Sequence, residues 1–237
     1  LVDDLFPQTN EEMAQYTNFP FIHLPPKSIV SHFAPGAAMN DGLVKASGEL
    51  IVFKADYMMM HPTCLQRLWE THLKYPKAML SGRCIEVGFH PSELLNMKRA
   101  FTGRDYRMSL FTNGLFHWSY MSENLYGVDR DGVQNWWGGK NDAAPLEAIL
   151  ECNGMDEQYD GHYGYHDDDL ANRLMTYGLD YIFDTGALAF ECLHTKHTKG
   201  SDLESNHHFK DKIITQSLMD KIYRANPHRD LREERNV

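Results

Sequence analysis

The pattern of apolar and polar positions predicts a chain that alternates strands with helices. Leu50–Phe53 is a continuous apolar run, which is typical of a strand covered on both faces. The predicted strands are 1–4, 21–24, 50–53, 78–80, 84–87, 181–183 and 187–190. The predicted helices are 11–16, 36–46, 62–75, 166–177 and 212–223, together with one that starts at Pro145 and ends at Asn153-Gly154. This alternation indicates an α/β fold with a mainly parallel central sheet flanked by helices.

Two of the predicted helices have a definite apolar face. Their apolar residues recur at the three- and four-residue spacing of a helix with one side in the core. The residues assigned to these buried faces are Leu65, Leu68, Trp69 and Leu73 in helix 62–75, and Leu170, Leu174 and Tyr177 in helix 166–177. Gly178 follows the second helix and predicts its end.

Length and charge narrow the classes of function. The chain has 237 residues, enough for one sizeable core or at most two domains. Its formal charge of −10 argues against nucleic-acid binding, which usually needs a basic surface. The four cysteines have no CxxC spacing and predict neither a zinc ribbon nor a disulfide framework. No apolar run approaches the about 18 residues of a membrane span. We therefore expect a soluble, cytoplasmic domain, with a membrane face as the alternative location.

Two acidic segments, far apart in the chain, carry the candidate chemistry. Asp56 follows strand 50–53, and ligands of open α/β sheets bind beyond the carboxyl ends of strands. Its alternative role is to cap the next helix. Asp167–Asp169 opens helix 166–177. Acids there complement the helix dipole, yet three adjacent carboxylates repel one another, and a cation or a proton would relieve that repulsion.

In their order, these segments resemble the glycosyltransferases of the GT-A fold, especially family 2 and the related galactosyl- and N-acetylgalactosaminyl-transferases. The resemblance covers about residues 1–197. It rests on five segments: Leu1-Val2-Asp3-Asp4; 36–42 with 46–53; Lys54-Ala55-Asp56, at the place of the family's Asp-x-Asp metal motif; Gly138-Gly139-Lys140-Asn141 with Pro145 and 154–157; and His166-Asp167-Asp168-Asp169-Leu170 with Arg173-Leu174, at the place of its Glu-Asp-x-Asp-Leu helix.

The resemblance assigns roles to individual residues. Asp167 is the expected general base, and Asp168 supports it or binds the acceptor. A divalent cation, Mn²⁺ or Mg²⁺, is expected on Asp56 and His194, with His197 as the alternative to His194. The residues expected to bind the donor are Asp3, Asp4, Asn40, Lys54, Asp56, Gly138 and Gly139.

The chain also departs from the family pattern. Lys54 stands where the first acid of the metal motif is expected, and His166 stands where the helix motif has Glu. Lys54 either offsets diphosphate charge or indicates weak or absent metal binding. The family's first βα unit is not visible, so the expected domains are an N-terminally incomplete catalytic domain over 1–200 and a polar, helical extension over 201–237.

The implied activity is transfer of a hexose from a nucleotide sugar, with a UDP-sugar favoured, to a carbohydrate or other hydroxyl acceptor. One base and a single displacement would invert the anomeric carbon. Two other classes stay open: a divalent-metal phosphohydrolase of sugar nucleotides, and a non-catalytic nucleotide- or carbohydrate-binding domain. The aromatic segment 91–135 is either an acceptor loop or a hydrophobic lid.

Overall fold

The computed structural model describes residues 20–22, 24, 35–55, 57–87, 137, 139–161, 164–192 and 224–236. The elements in chain order are α1 (Pro35–Lys45), β1 (Leu50–Lys54), β2 (Met58–Met60), α2 (Cys64–Lys74), β3 (Ala78–Val87), β4 (Asn141–Pro145), α3 (Leu146–Glu151), α4 (His166–Tyr177), β5 (Asp180–Cys192) and α5 (Leu231–Arg235). A 3-10 turn, Glu157–Tyr159, precedes α4. The predicted strand 1–4, helices 11–16 and 212–223 and segment 91–135 lie outside the described residues.

Contacts along the chain define two compact units. The helical unit consists of Leu1–Glu49, Leu146–Tyr177 and Asp202–Val237, and the sheet unit consists of Leu50–Pro145 and Gly178–Ser201. The described part of the predicted C-terminal extension, residues 224–236, therefore packs within the helical unit. None of the helices in the described part of the chain is long and apolar enough to span a bilayer.

The sheet unit contains a mixed sheet with the strand order β1-β4-β3-β5-β2. β3 and β5 run parallel, whereas the pairs β1–β4, β3–β4 and β2–β5 are antiparallel. The prediction of a mainly parallel sheet is thus wrong for the described strands. An apolar run indicates burial and says nothing about strand direction. The unpredicted β4, with a polar start at Asn141 and Asp142, enters antiparallel between β1 and β3.

β3 and β5 are long strands where pairs of short ones are predicted. Their register shifts at one point, because Gly82 pairs with Asp184 whereas Arg83 pairs with Leu188. The extra residues of β5 form a bulge, which bends the strand locally. Gly82 is required there, since a Cβ would overlap the Asn141 side chain and the Ala187 carbonyl. The gap between predicted strands 78–80 and 84–87, and the gap between 181–183 and 187–190, coincide with this bulge.

β1 lies at the edge of the sheet among the described strands, contrary to its predicted cover on both faces. Leu50, Ile51 and Val52 are half-buried, and only Phe53 is buried. The Phe53 ring packs edge-on against Trp137, with ring centroids 5.9 Å apart. An apolar run can therefore form an edge strand when its burial is partial.

α2 covers one face of the sheet, and of its four predicted core residues only Leu68 is buried. Leu65, Trp69 and Leu73 are 55%, 40% and 60% exposed. The buried residues of the helix are Cys64, Leu68, Thr71 and His72. Cys64 and Leu68 pack in a core cluster with Ala78, Leu80, Ala143 and Ala187.

A polar anchor accounts for the orientation of α2. Thr71 Oγ1 donates a short hydrogen bond to Asp184, and Arg67 Nε donates to Asp184 Oδ1 at 3.0 Å. Asp184 is 6% exposed, so its charge needs these partners. The pair Thr71 and Arg67 therefore directs their side of the helix to β5, which apolar periodicity cannot indicate.

In the helical unit, α4 has the predicted bounds, and Gly178 follows it with φ +102°. Leu170 and Leu174 are buried as predicted, while Tyr177 is 39% exposed and wrongly assigned to the core face. α1 begins and ends one residue earlier than predicted. The predicted strand 21–24 is not formed by the described residues Phe21 and Ile22.

Candidate functional site

The structure describes five of the predicted site residues: Asn40, Lys54, Gly139, Asp167 and Asp168. The other predicted residues, Asp3, Asp4, Asp56, Gly138 and His194, lie outside the described part, as does His197. Within the described residues, no group of three or more His, Cys, Asp or Glu could hold a metal ion. A metal site on Asp56 and His194 therefore stays a prediction.

The first turn of α4 contains the acidic triplet, and its third member serves the fold. Asp169 is fully buried, and its Oδ2 atom accepts a hydrogen bond from Arg173 Nε at 2.8 Å. Arg173 Nη2 lies 2.7 Å from the same oxygen. The Tyr159 hydroxyl donates to Asp169 Oδ1 at 3.4 Å. Asp169 is thus neutralised within the fold and is not available to a substrate.

Arg173 joins α4 to the loop before it. Its side chain is 1% exposed, and Nη1 donates to the carbonyls of Cys152 and Gly154 at 2.7 and 2.8 Å. A buried ion pair is tolerated when further hydrogen bonds satisfy the charged groups. The Asp169–Arg173 pair meets that condition and holds the acidic turn against residues 152–154.

Asp168 is the acid of the triplet that is suited to proton transfer. It is half-buried. Burial, followed by the neighbouring charges of Asp167 and Asp169, raises the pKa of Asp168 to about 8. The Asp168 amide donates to Asp167 Oδ1 at 3.1 Å. A carboxyl group whose pKa lies near neutrality is suited to general acid–base catalysis.

Asn40 clamps the loop that leads to the acidic turn. Its Nδ2 atom donates to the Met155 carbonyl and to Glu157 Oε1, both at 2.9 Å. Its Oδ1 atom accepts from the Met155 amide at 2.8 Å, and the residue is 0% exposed. Both amide hydrogens are occupied, so we do not retain Asn40 among the donor ligands. The small-residue helix around it does not reveal this, because the partners lie more than a hundred residues away.

Asp160 caps α1 from a distant part of the chain. Its Oδ1 and Oδ2 atoms accept from the Gly36 and Ala37 amides at 2.8 and 2.9 Å. Burial raises the pKa of Asp160, and the two amide bonds act against that rise. The sequence before α1 has no equivalent signal, since a cap is ordinarily sought next to the helix. Sequence reasoning missed Asp160 for that reason.

The sheet unit contains the other described candidates. Lys54 ends β1, is exposed, and donates from Nζ to the Ala55 carbonyl at 3.1 Å. Gly139 has φ +64°, and no heavy atom lies within 4 Å of where its Cβ would be. Its left-handed backbone, rather than a close neighbour, makes glycine the suitable residue. Donor binding by Lys54 and Gly139 stays a prediction.

Lys140 belongs to a polar cluster that the sequence does not indicate. Its Nζ atom lies 2.9 Å from Glu191 Oε2 and 5.8 Å from the ring centroid of Tyr57, the residue after Asp56. The Lys140 amide donates to Asp142 Oδ2 at 3.2 Å. These contacts tie the segment that follows the predicted metal motif to the start of β4.

Comparisons with known proteins find matches only among solved structures. No protein-family model and no curated protein matches it. A match among solved structures is S. aureus TarS, residues 1–349, in complex with UDP-GlcNAc, with a TM-score of 0.48 and 10% sequence identity. It covers 78% of this chain and 45% of that one, so the chain spans less than half of the matched structure.

Proposed function

We propose that the chain is a glycosyltransferase domain that moves a sugar from a nucleotide-sugar donor to an acceptor hydroxyl. The order of the five family-like segments supports this proposal. The single observation that carries it is the half-buried Asp168 in the acidic turn of α4, with a pKa raised to about 8. A hydroxyl nucleophile needs a base with a pKa near the working pH.

The proposed reaction is a single displacement. The acceptor oxygen bonds to the anomeric carbon, the bond from that carbon to the phosphate oxygen breaks, and the nucleotide diphosphate departs. The acceptor proton passes to the Asp168 carboxylate. Asp167, expected from the family pattern to be the base, lies beside it and accepts the Asp168 amide hydrogen. We assign the proton to Asp168 because of its raised pKa, and inversion at the anomeric carbon follows from attack on the opposite face.

The departing diphosphate needs positive charge. Lys54 would supply part of it at the end of β1. Asp56 offers an oxygen ligand and His194 a nitrogen ligand, a set compatible with Mn²⁺. A bound cation would offset the charge that develops on the leaving oxygen.

The test is a screen of UDP- and GDP-sugars with Mn²⁺ and a panel of sugar acceptors, with release of nucleotide diphosphate as the readout. Asp168→Asn should lower kcat by about 10²- to 10⁴-fold, with UDP affinity by calorimetry nearly unchanged. Asp180→Asn, at an exposed aspartate, is the matched control and should keep the wild-type rate.

The dependence of wild-type kcat/KM on pH gives a second measurement. It should rise towards about pH 8, as the raised pKa of Asp168 requires. An Asp168→Asn variant that transfers sugar at the wild-type rate would refute the assigned base. Donor hydrolysis that is indifferent to every acceptor would refute the transferase and favour a phosphohydrolase.

A further inference from the structure

A C-terminal segment, which we call the clasp (residues 224–236), is built into the helical unit through Arg229. The Arg229 guanidinium contacts carboxylates from three places in the chain. Nη2 donates to Asp41 Oδ1 at 2.7 Å, Nη1 donates to Glu157 Oε1 at 2.6 Å, and Nε donates to Glu234 Oε1 at 2.7 Å. One side chain thus joins α1, the 3-10 turn and α5.

Two asparagines hold the clasp to the same loop. Asn226 Nδ2 donates to the carbonyls of Asn153 and Met155 at 2.9 and 2.7 Å, and its Oδ1 accepts from the Glu157 amide at 2.9 Å. Asn153 Oδ1 accepts from the Leu231 amide at 2.9 Å. Both asparagines have positive φ, 61° for Asn153 and 55° for Asn226. Asn226 of the clasp thus provides hydrogen-bond partners for three backbone groups of the loop: the Asn153 and Met155 carbonyls and the Glu157 amide.

The opposite end of this loop is held by the acidic helix. Arg173 donates to the carbonyls of Cys152 and Gly154, and it pairs with Asp169 in the acidic turn. Residues 152–157 therefore lie between two arginines, Arg229 on the clasp and Arg173 on α4. The backbone of 154–157 connects the Glu157 contact of Arg229 with the Gly154 contact of Arg173.

We propose that Arg229 is a positioning residue for the acidic turn. Through Glu157 it fixes the loop 152–157, and through Arg173 and Asp169 the loop fixes the depth at which Asp168 is buried. This inference rests on the proposed function for its catalytic meaning, while its structural content can be measured without any activity.

The decisive measurement is the titration of the Asp168 carboxyl by NMR of protein with ¹³C-labelled aspartate carboxyls, in which Asp168→Asn identifies the signal. In Arg229→Ala the turn should become more solvated, and the titration midpoint should fall by at least about half a pH unit. Arg229→Lys keeps the charge and should restore part of the shift. Arg232→Ala is the matched control, because Arg232 also belongs to the clasp but pairs with Glu147 and Glu151.

Glu157→Gln is the second variant, for use where Arg229→Ala does not fold. It removes the negative charge that pairs with Arg229. The midpoint of the Asp168 titration should fall, as in Arg229→Ala. A folded Arg229→Ala or Glu157→Gln protein with the wild-type midpoint would overturn the inference. So would an equal shift in Arg232→Ala.

The pH–rate profile separates this inference from the proposed function. If the wild type shows no transfer to any acceptor but the Asp168 midpoint falls in Arg229→Ala, the proposed function fails and the positioning role stands. If transfer is observed, its pH–rate midpoint should fall together with the NMR midpoint. A rate midpoint that stays fixed while the NMR midpoint moves would overturn the catalytic meaning assigned to Arg229.

Discussion

Replacement of Asp168 by Asn should change the pH dependence of folding stability. The pKa of Asp168 is raised from 3.8 to about 8 in the folded chain, first by burial and then by Asp167 and Asp169. The folded state consequently binds more protons than the unfolded state between these two pH values. Stability must then fall as pH rises across this interval. Asn has nearly the shape of a protonated Asp and cannot ionise, so Asp168→Asn removes this contribution.

The magnitude follows from the size of the shift. Each pKa unit corresponds to about 1.4 kcal/mol, so a shift of about four units sets an upper bound of about 6 kcal/mol. Partial exposure of Asp168 and relaxation around the charge reduce this value. We expect Asp168→Asn to gain about 2 to 3 kcal/mol relative to the wild type between about pH 5 and about pH 9.

The assay is urea unfolding of both proteins at several pH values, with the free energy of unfolding extrapolated to water. The difference between variant and wild type cancels the other titrating groups to first order. Asp180→Asn, at an exposed site, should show no comparable change with pH. A difference between Asp168→Asn and wild type that is the same at low and high pH would refute the raised pKa and, with it, the choice of Asp168 as the base.

Two further predictions concern the supports of the acidic turn. Gly154→Ala should lower the free energy of unfolding in urea by at least about 2 kcal/mol, because Gly154 has φ +72° and a Cβ would overlap the Asn40 side chain. Gly178→Ala is the control and should cost about 1 kcal/mol, since Gly178 has φ +102° but open space around it. Equal losses in the two variants would contradict the overlap at Gly154. Arg173→Met should cost about 3 to 5 kcal/mol by leaving Asp169 buried without its cation. The double variant with Asp169→Leu should recover part of that loss in the same assay, and no recovery would show that the ion pair is not the source.

The elements that the sequence predicts well are those whose signals are local. α4 begins at the acids that suit its dipole and ends before a glycine, and both bounds match the structure. β1 begins at the predicted Leu50 and extends one residue past its apolar run, to Lys54. The acidic turn is also found from sequence alone, because three adjacent aspartates are rare enough to stand out. Which of them titrates near neutrality depends on burial, which sequence does not give.

The features that the sequence does not predict depend on distant partners. The side of α2 that faces the sheet follows Thr71 and Arg67, which bind Asp184 on β5. The cap of α1 is Asp160, and the clasp is fixed by Arg229. In each case the sequence pattern alone predicts a solvent-exposed polar residue with no particular partner. Only the folded chain reveals its partner.

The acidic turn shows how one sequence motif can separate into different chemical roles. Adjacent carboxylates repel one another, and from sequence a cation or a proton is needed to relieve that repulsion. The fold provides both forms of relief without a ligand. Arg173 neutralises Asp169, and the raised pKa of Asp168 keeps it mostly protonated at neutral pH. The proton-accepting capacity of Asp168 therefore becomes available only as the pH approaches its pKa.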